Sequence, residues 1–512
     1  MQILLAGPGT GKTTRIKEII AADYADAERI LVLSFTNATV RDLATSFNDH
    51  STVRCFTLHK YALIINHLKD RYILDSNEDD TLSALADALD IDFSFFCEQL
   101  NCITFEAMIA ECLAFLKINP VYGAEQIGSL DLLIVDEYQD FNATERSLVD
   151  EIARFANETI ILGDDDQSIY GFKDADPDGI IQLYNDDSVS KLNHENMCWR
   201  CPDVVVSHAR RLIERNARRV NKAWNPTGKQ GDYSIKQTLS QPEAVTYVAS
   251  EIEKARSSNG RASFLVLSPM GFCVDGLVEI LTERKIPYVD FWSSPIGEEE
   301  YARVWWLRAI FTKRIVLNLL LLWKTLTPYF RKKFKSVLKD SFTKGFNESE
   351  VLGLTRKMFD DTLEHLLGDP PPLREFVEQH PQYTELAARL NESNLEASCE
   401  SLLIEINPTK EFNRAGVNIM SIHKSKGLQA DVVFIVGLVD GVLPNDSRGA
   451  DTIEAQRRLL FVGITRAVYA LHLVSWVEWN DQVHKVDKSK FDYKYAKKCY
   501  HGRTSRFVGE ME

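Results

Sequence analysis

Short apolar, β-branched runs alternate along the chain with stretches of helical apolar spacing, the pattern of a parallel sheet wrapped by helices. The spacing predicts strands at Gln2–Ala6, Ile30–Phe35, Leu132–Asp136 and Thr159–Gly163. A second set follows at Ser263–Leu267, Val417–Ile422, Val432–Gly437 and Leu471–Ser475. Two α/β lobes are expected, each interrupted by a mainly helical insertion. The first lobe is assigned to 1–59 and 129–190, with its insertion at 60–128. The second is assigned to 191–295 and 406–484, with its insertion at 296–405. The closing segment, 485–512, is rich in Lys and Arg and reads as an appended basic tail.

Composition narrows the class. With 512 residues, 45% hydrophobic and 26% charged, the chain is neither disordered nor low-complexity, and it can build several cores. The net charge of -15 argues against a protein that simply coats nucleic acid or an anionic membrane. Nine cysteines are too few for a disulfide framework, and buried reduced thiols are the expectation. Cys198 and Cys201 lack a second pair at zinc spacing, and Cys97, Cys102 and Cys112 lack a fourth ligand at loop ends. The longest apolar run, Ile315–Trp323, is about half a membrane span and is broken by Asn318. No membrane partner is expected, and a cytoplasmic location is.

The chemistry starts directly after the first strand, at Ala6-Gly7-Pro8-Gly9-Thr10-Gly11-Lys12-Thr13-Thr14. Glycines let backbone N–H groups fold around phosphate oxygens, and the following helix adds its positive N-terminus. Lys12 would reach the β- and γ-phosphates of ATP, and the Thr13 hydroxyl would hold Mg²⁺. Ala6 stands where the strict pattern has its first Gly. An apolar strand ending in Asp136-Glu137 supplies the complement, with Asp136 beside Mg²⁺ and Glu137 near the attacking water. Together the two motifs point to ATP hydrolysis.

With Tyr138-Gln139-Asp140 following, the sequence resembles superfamily 1 helicases of the UvrD/Rep type. The likeness continues in chain order through Gly163–Phe172, Trp199-Arg200-Cys201-Pro202, Ser421–Leu428 and Arg457–Ala467. Phe35-Thr36-Asn37 and Thr57-Leu58-His59 match two DNA-contact motifs of that family. The resemblance implies two RecA-like P-loop lobes with ATP between them. It assigns charge stabilisation to Arg200 and Arg466, γ-phosphate sensing to Gln167, an adenine stack to Trp199 and a ribose contact to Gln429. Phe35, Tyr170 and Phe172 are expected to stack on bases of single-stranded DNA, which tolerates any sequence. Asn37, Thr57, His59, Lys173 and His423 are expected to contact the DNA backbone or support those rings.

Several departures from the family pattern matter. Gln2 stands too close to the phosphate loop to serve as the adenine-reading Gln that the family carries upstream. Gln429 replaces a Glu, Ala38 a position often basic, and Cys198 the usual Asn. The insertions are short for the family, which puts weight on movement along single strands rather than autonomous strand separation. The resemblance implies a 3′-to-5′ translocase or helicase on single-stranded DNA, or on duplex with a single-stranded tail, in repair or antiphage defence. The alternative is a nucleotide-gated DNA-sensing subunit that controls a partner nuclease without robust unwinding.

Overall fold

The computed structural model describes residues 1–47, 51–65, 71–74, 76–293, 410–446, 451–479, 490, 492–494 and 499–512, with a few isolated positions between 335 and 388. The second expected insertion, 296–405, therefore lies almost wholly outside the described residues.

Six strands form the first sheet: β1 (Gln2–Leu5), β2 (Ile30–Ser34), β3 (Val53–Thr57), β6 (Leu130–Asp136), β7 (Ala156–Gly163) and β8 (Ser190–Lys191). Their order is β3-β2-β6-β7-β1-β8 and every pairing is parallel. The intervening pair β4 (Tyr72–Ile73) and β5 (Cys102–Ile103) stands apart as a separate two-stranded sheet. β2 and most of β6 are buried on both faces, which is why they read as unbroken apolar runs. Ser34 and Asp136 are register partners, so the loop after β2, which carries Phe35-Thr36-Asn37, and the acidic end of β6 emerge side by side. Helices α1 (Lys12–Asp23), α2 (Asn37–Ser46) and α3 (Leu58–Ile65) leave the C-terminal ends of β1, β2 and β3. α1 buries Ile16, Ile19 and Ile20 against the sheet.

The second sheet has eight strands: β9 (Asp232–Ser240), β10 (Phe264–Ser268), β11 (Tyr288–Asp290), β12 (Val417–Ser421), β13 (Ala430–Val436), β14 (Ala467–Trp479), β15 (Asp492–Lys494) and β16 (Cys499–His501). Their path is β11-β12-β10-β13-β14-β16-β15, with β9 also paired to β14. The central pairings are parallel, and β16 and β15 add an antiparallel edge. All eight strands expected from the pattern are present within a few residues. β9 escaped notice because its residues are largely half-buried or exposed and carry no apolar run.

Both sheets belong to one compact unit, comprising residues 1–66, 109–292 and 411–512. Residues 67–108 and 293–410 form a second unit. The first insertion is helical as expected, with α4 (Ser76–Leu89), α5 (Phe93–Gln99), α6 (Phe105–Ile118) and α7 (Pro120–Ile127). Its compact part is narrower than 60–128, because α3, the second half of α6 and α7 pack with the ATPase lobes.

The closing segment corrects the expectation of an appended basic tail. β16 is hydrogen-bonded to β14, and a terminal helix (Arg506–Met511) buries Phe507, Val508 and Met511 in the second lobe's core. Apolar residues at that helical spacing, not the surrounding lysines, decide where this end goes. Among the described residues no helix is long and apolar enough to cross a membrane.

Candidate functional site

The phosphate loop runs from β1 into α1. Gly9 and Gly11 have φ of 71° and 88°, a left-handed turn that glycine adopts without strain. Space is equally restrictive: a Cβ on Gly9 would lie 2.6 Å from Arg200 Cβ, and one on Gly7 would lie 2.5 Å from Trp224 Cδ1. Lys12 Nζ donates to the carbonyls of Ala6 (2.8 Å) and Gly7 (3.2 Å), which holds the ammonium over the loop. Thr10 Oγ1 donates to Gly7 O at 2.8 Å.

The acidic end of β6 lies beside this loop. Asp136 Oδ1 accepts from Glu137 N at 3.0 Å, and Glu137 adopts a left-handed φ of 57° that only local contacts could hold. Gln139 Nε2 donates to Glu137 Oε2 at 2.5 Å, while Gln139 Oε1 accepts from Asp164 N at 2.9 Å. Burial, then the Glu137 charge, pushes Asp136 up to about 7 against the pull of Lys12. Burial also opposes ionisation of Glu137, but Lys426 and Lys12 outweigh it and lower its pKa. A buried carboxylate on which burial and the Glu137 charge outweigh Lys12 suits a hard divalent cation with oxygen ligands.

The second lobe supplies cations to the same cleft. Arg466 Nη2 donates to Gln167 Oε1 at 2.9 Å, and Gln167 Nε2 donates to Asp164 Oδ2 at 2.7 Å. Burial, then Arg200, lowers Arg466 to about 9, so it is charged at neutral pH. Arg200 Nη1 reaches Thr465 O at 3.3 Å, and its Nε is buried with no partner among the described residues. Lys426 bridges the lobes, donating to Asp140 and to Gln167 O (2.7 Å), with Glu137 at 3.7 Å. It also lies 5.4 Å over the Tyr170 ring.

Trp199 is 65% exposed and lines a cavity of about 420 Å³ with Thr10, Gly11, Thr14, Arg15 and His194. Its ring is therefore free of the core. His194 Nε2 lies 2.9 Å from Thr10 O, tying the interlobe crossing to the phosphate loop. Gln429 is exposed.

On the neighbouring edge the expected aromatic residues form one row. Phe35 lies 4.9 Å from Tyr170, Tyr170 5.8 Å from Phe172, and Phe172 5.6 Å from the His423 ring of the second lobe. Phe172 is 68% exposed. Lys173, exposed, follows it directly. Thr36 and Thr57 act first as helix caps, accepting from Thr39 N at 3.3 Å and Lys60 N at 3.2 Å. His59 Nε2 lies 3.4 Å from Glu145 Oε1. Asn37 opens α2, and its side chain lies outside the described residues.

Sequence reasoning passed over several residues of this cluster. Lys426 lay inside a recognised motif but was given no task, as did Asp164. Lys222, Trp224 and His194 lie outside the quoted motifs, and only their positions in the fold reveal them. Asp164, Asp165 and Asp166 group closely enough to suggest a cation, but Lys222 fills that space at 3.0, 2.5 and 2.6 Å. Cys198 and Cys201 are buried free thiols, with Cys201 N donating to Cys198 Sγ at 3.5 Å.

The chain resembles known proteins in both halves of its sequence. Residues 1–173 match an AAA domain family model, and residues 369–478 match the UvrD-like helicase C-terminal domain. DNA helicase II of Rickettsia typhi is 24% identical, with 99% of this chain and 93% of that protein covered. Over nearly its whole length the chain is thus similar to helicases of the UvrD/Rep type. Other relatives are ATP-dependent DNA helicase PcrA of Leuconostoc citreum and ATP-dependent DNA helicase Rep of Buchnera aphidicola. They are 22% and 26% identical; each alignment spans 73% of this chain, and 58% and 68% of the relative. By class the protein is an ATP-dependent enzyme acting on DNA.

Proposed function

We propose that this helicase hydrolyses ATP between its two lobes and uses the cycle to move along single-stranded DNA in the 3′-to-5′ direction. The supporting observation is the segment that follows β7. Gln167 is bonded to Arg466 of the second lobe, and Tyr170 and Phe172, a few residues on, belong to the aromatic row. One short stretch thus touches both the nucleotide end and the strand end of the cleft.

Each side chain has a distinct task in this reading. The loop amides with Lys12 hold the β- and γ-phosphates, and Thr14 closes the loop's last turn. Thr13 and Asp136 would hold Mg²⁺, which screens phosphate charge when bound. Glu137 orients and deprotonates the attacking water, and Gln167 senses the γ-phosphate. Arg200 and Arg466 stabilise the charge that spreads over the transferring group. Trp199 stacks on the adenine, and Gln429 accepts from a ribose hydroxyl. Phe35, Tyr170, Phe172 and His423 carry the bases; Asn37, His59 and Lys173 face the backbone.

The test is ATP hydrolysis with and without single-stranded DNA, wild type against Lys12→Ala. Stimulation by DNA in the wild type, and loss of hydrolysis in the variant under both conditions, is expected. Hydrolysis that persists in Lys12→Ala would overturn the assignment. Displacement of strands with a 3′ or a 5′ tail then reads the direction.

A further inference from the structure

Residues 214–231 connect the helix Asp203–Ile213 to β9 and cross the proposed ATP face of the first lobe on the way. The second lobe holds the start of this strap: Ala217 N donates to Glu454 Oε1 at 2.6 Å. Its middle meets three consecutive carboxylates, all buried. Arg219 pairs with both oxygens of Asp166 at 3.0 and 2.8 Å, and the Lys222 side chain, 5% exposed, lies within 3.0 Å of Asp164, Asp165 and Asp166. Its far end returns to the phosphate loop, where Trp224 Nε1 donates to Pro8 O at 2.9 Å.

Asp164 divides its two oxygens. Oδ1 faces Lys222 at 3.0 Å, and Oδ2 accepts from Gln167 Nε2 at 2.7 Å. The other end of the same amide, Oε1, accepts from Arg466 at 2.9 Å. An amide has one donating and one accepting end, so an ionised Asp164 admits only this orientation of Gln167. A protonated Asp164 could instead donate to Gln167 Oε1, withdrawing that acceptor from Arg466, whose guanidinium can only donate. Burial alone would raise the Asp164 pKa; Lys222, followed by Lys12, reverses that and lowers it.

We propose that Lys222 is a positioning residue for hydrolysis: through Asp164 it fixes which end of the Gln167 amide faces Arg466. This rests on the reading of Gln167 as the γ-phosphate sensor. Lys222 itself touches neither substrate nor reacting atoms.

The experiment measures kcat and KM for ATP at saturating single-stranded DNA in Lys222→Met, Gln167→Ala and the double variant. Lys222→Met should lower kcat by about 10- to 100-fold, somewhat less than loss of a direct charge-stabilising donor, with KM for ATP changed less than about threefold. It should add nothing in the Gln167→Ala background, because coupled residues are not additive. Lys222→Arg should recover most of kcat. Asp164→Asn, which leaves two carboxylates around Lys222, should reproduce the pattern and serves if Lys222→Met does not fold. Losses that multiply in the double variant, or a rise in KM at unchanged kcat, would overturn the positioning role alone. A Gln167→Ala enzyme with wild-type kcat would overturn the sensor reading and this proposal with it.

Discussion

At the residue scale the site is a set of charges held where water cannot screen them. Glu137, Asp164 and Lys426 are each held by groups of opposite sign, while Asp136 and Arg466 each face a like charge, so changing one shifts its neighbours. His59 illustrates how burial sets protonation at the strand end. Burial first, then Lys173, pushes it down to about 4, so the imidazole is neutral at pH 7. An unfolded histidine titrates near 6.5, so below that pH the unfolded chain binds the extra proton. Stability from His59 is therefore full above about pH 6.5 and is lost as pH falls toward about 4. Thermal melts should show wild type losing more stability than His59→Gln between those limits; parallel curves would refute it.

At the element scale the strands were legible wherever burial on both faces left an apolar run, as in β2, β6, β10 and β13. The motif loops were legible because phosphate and DNA chemistry demands particular residues at fixed spacing after those strands. What escaped was set by tertiary contact. β9 is ordered by pairing with β14 rather than by its own pattern, and the strap through Lys222 has no motif-like spacing. The terminal helix was misread because its lysine-rich approach dominated composition, while three apolar residues fix its docking. Phe507, fully buried, should cost about 3–5 kcal/mol of stability when replaced by Ala, as large-to-small core changes do. Denaturant unfolding measures this directly, and a loss under about 1 kcal/mol would restore the tail reading.

At the scale of the whole molecule, the negative net charge and the proposed DNA-binding edge are compatible, because stacking rings can bind bases without a basic surface. Phe172 is exposed, so Phe172→Ala should leave the melting temperature and basal ATPase intact. Single-strand affinity and DNA-stimulated ATPase should fall by about 5- to 150-fold, the equivalent of a base stack of about 1–3 kcal/mol. Fluorescence anisotropy with a labelled oligonucleotide reads the first, and equal loss of basal and stimulated hydrolysis would point to misfolding instead. Arg200 and Arg466 add a consequence for the cycle. In the buried cleft the Arg200 charge works against that of Arg466, and an anion before the pair would relieve it. On the proposed function the cleft works as a charge counter: a triphosphate would balance the pair, a diphosphate would leave part of their repulsion unanswered, and departure of one phosphate would be felt as a force toward opening.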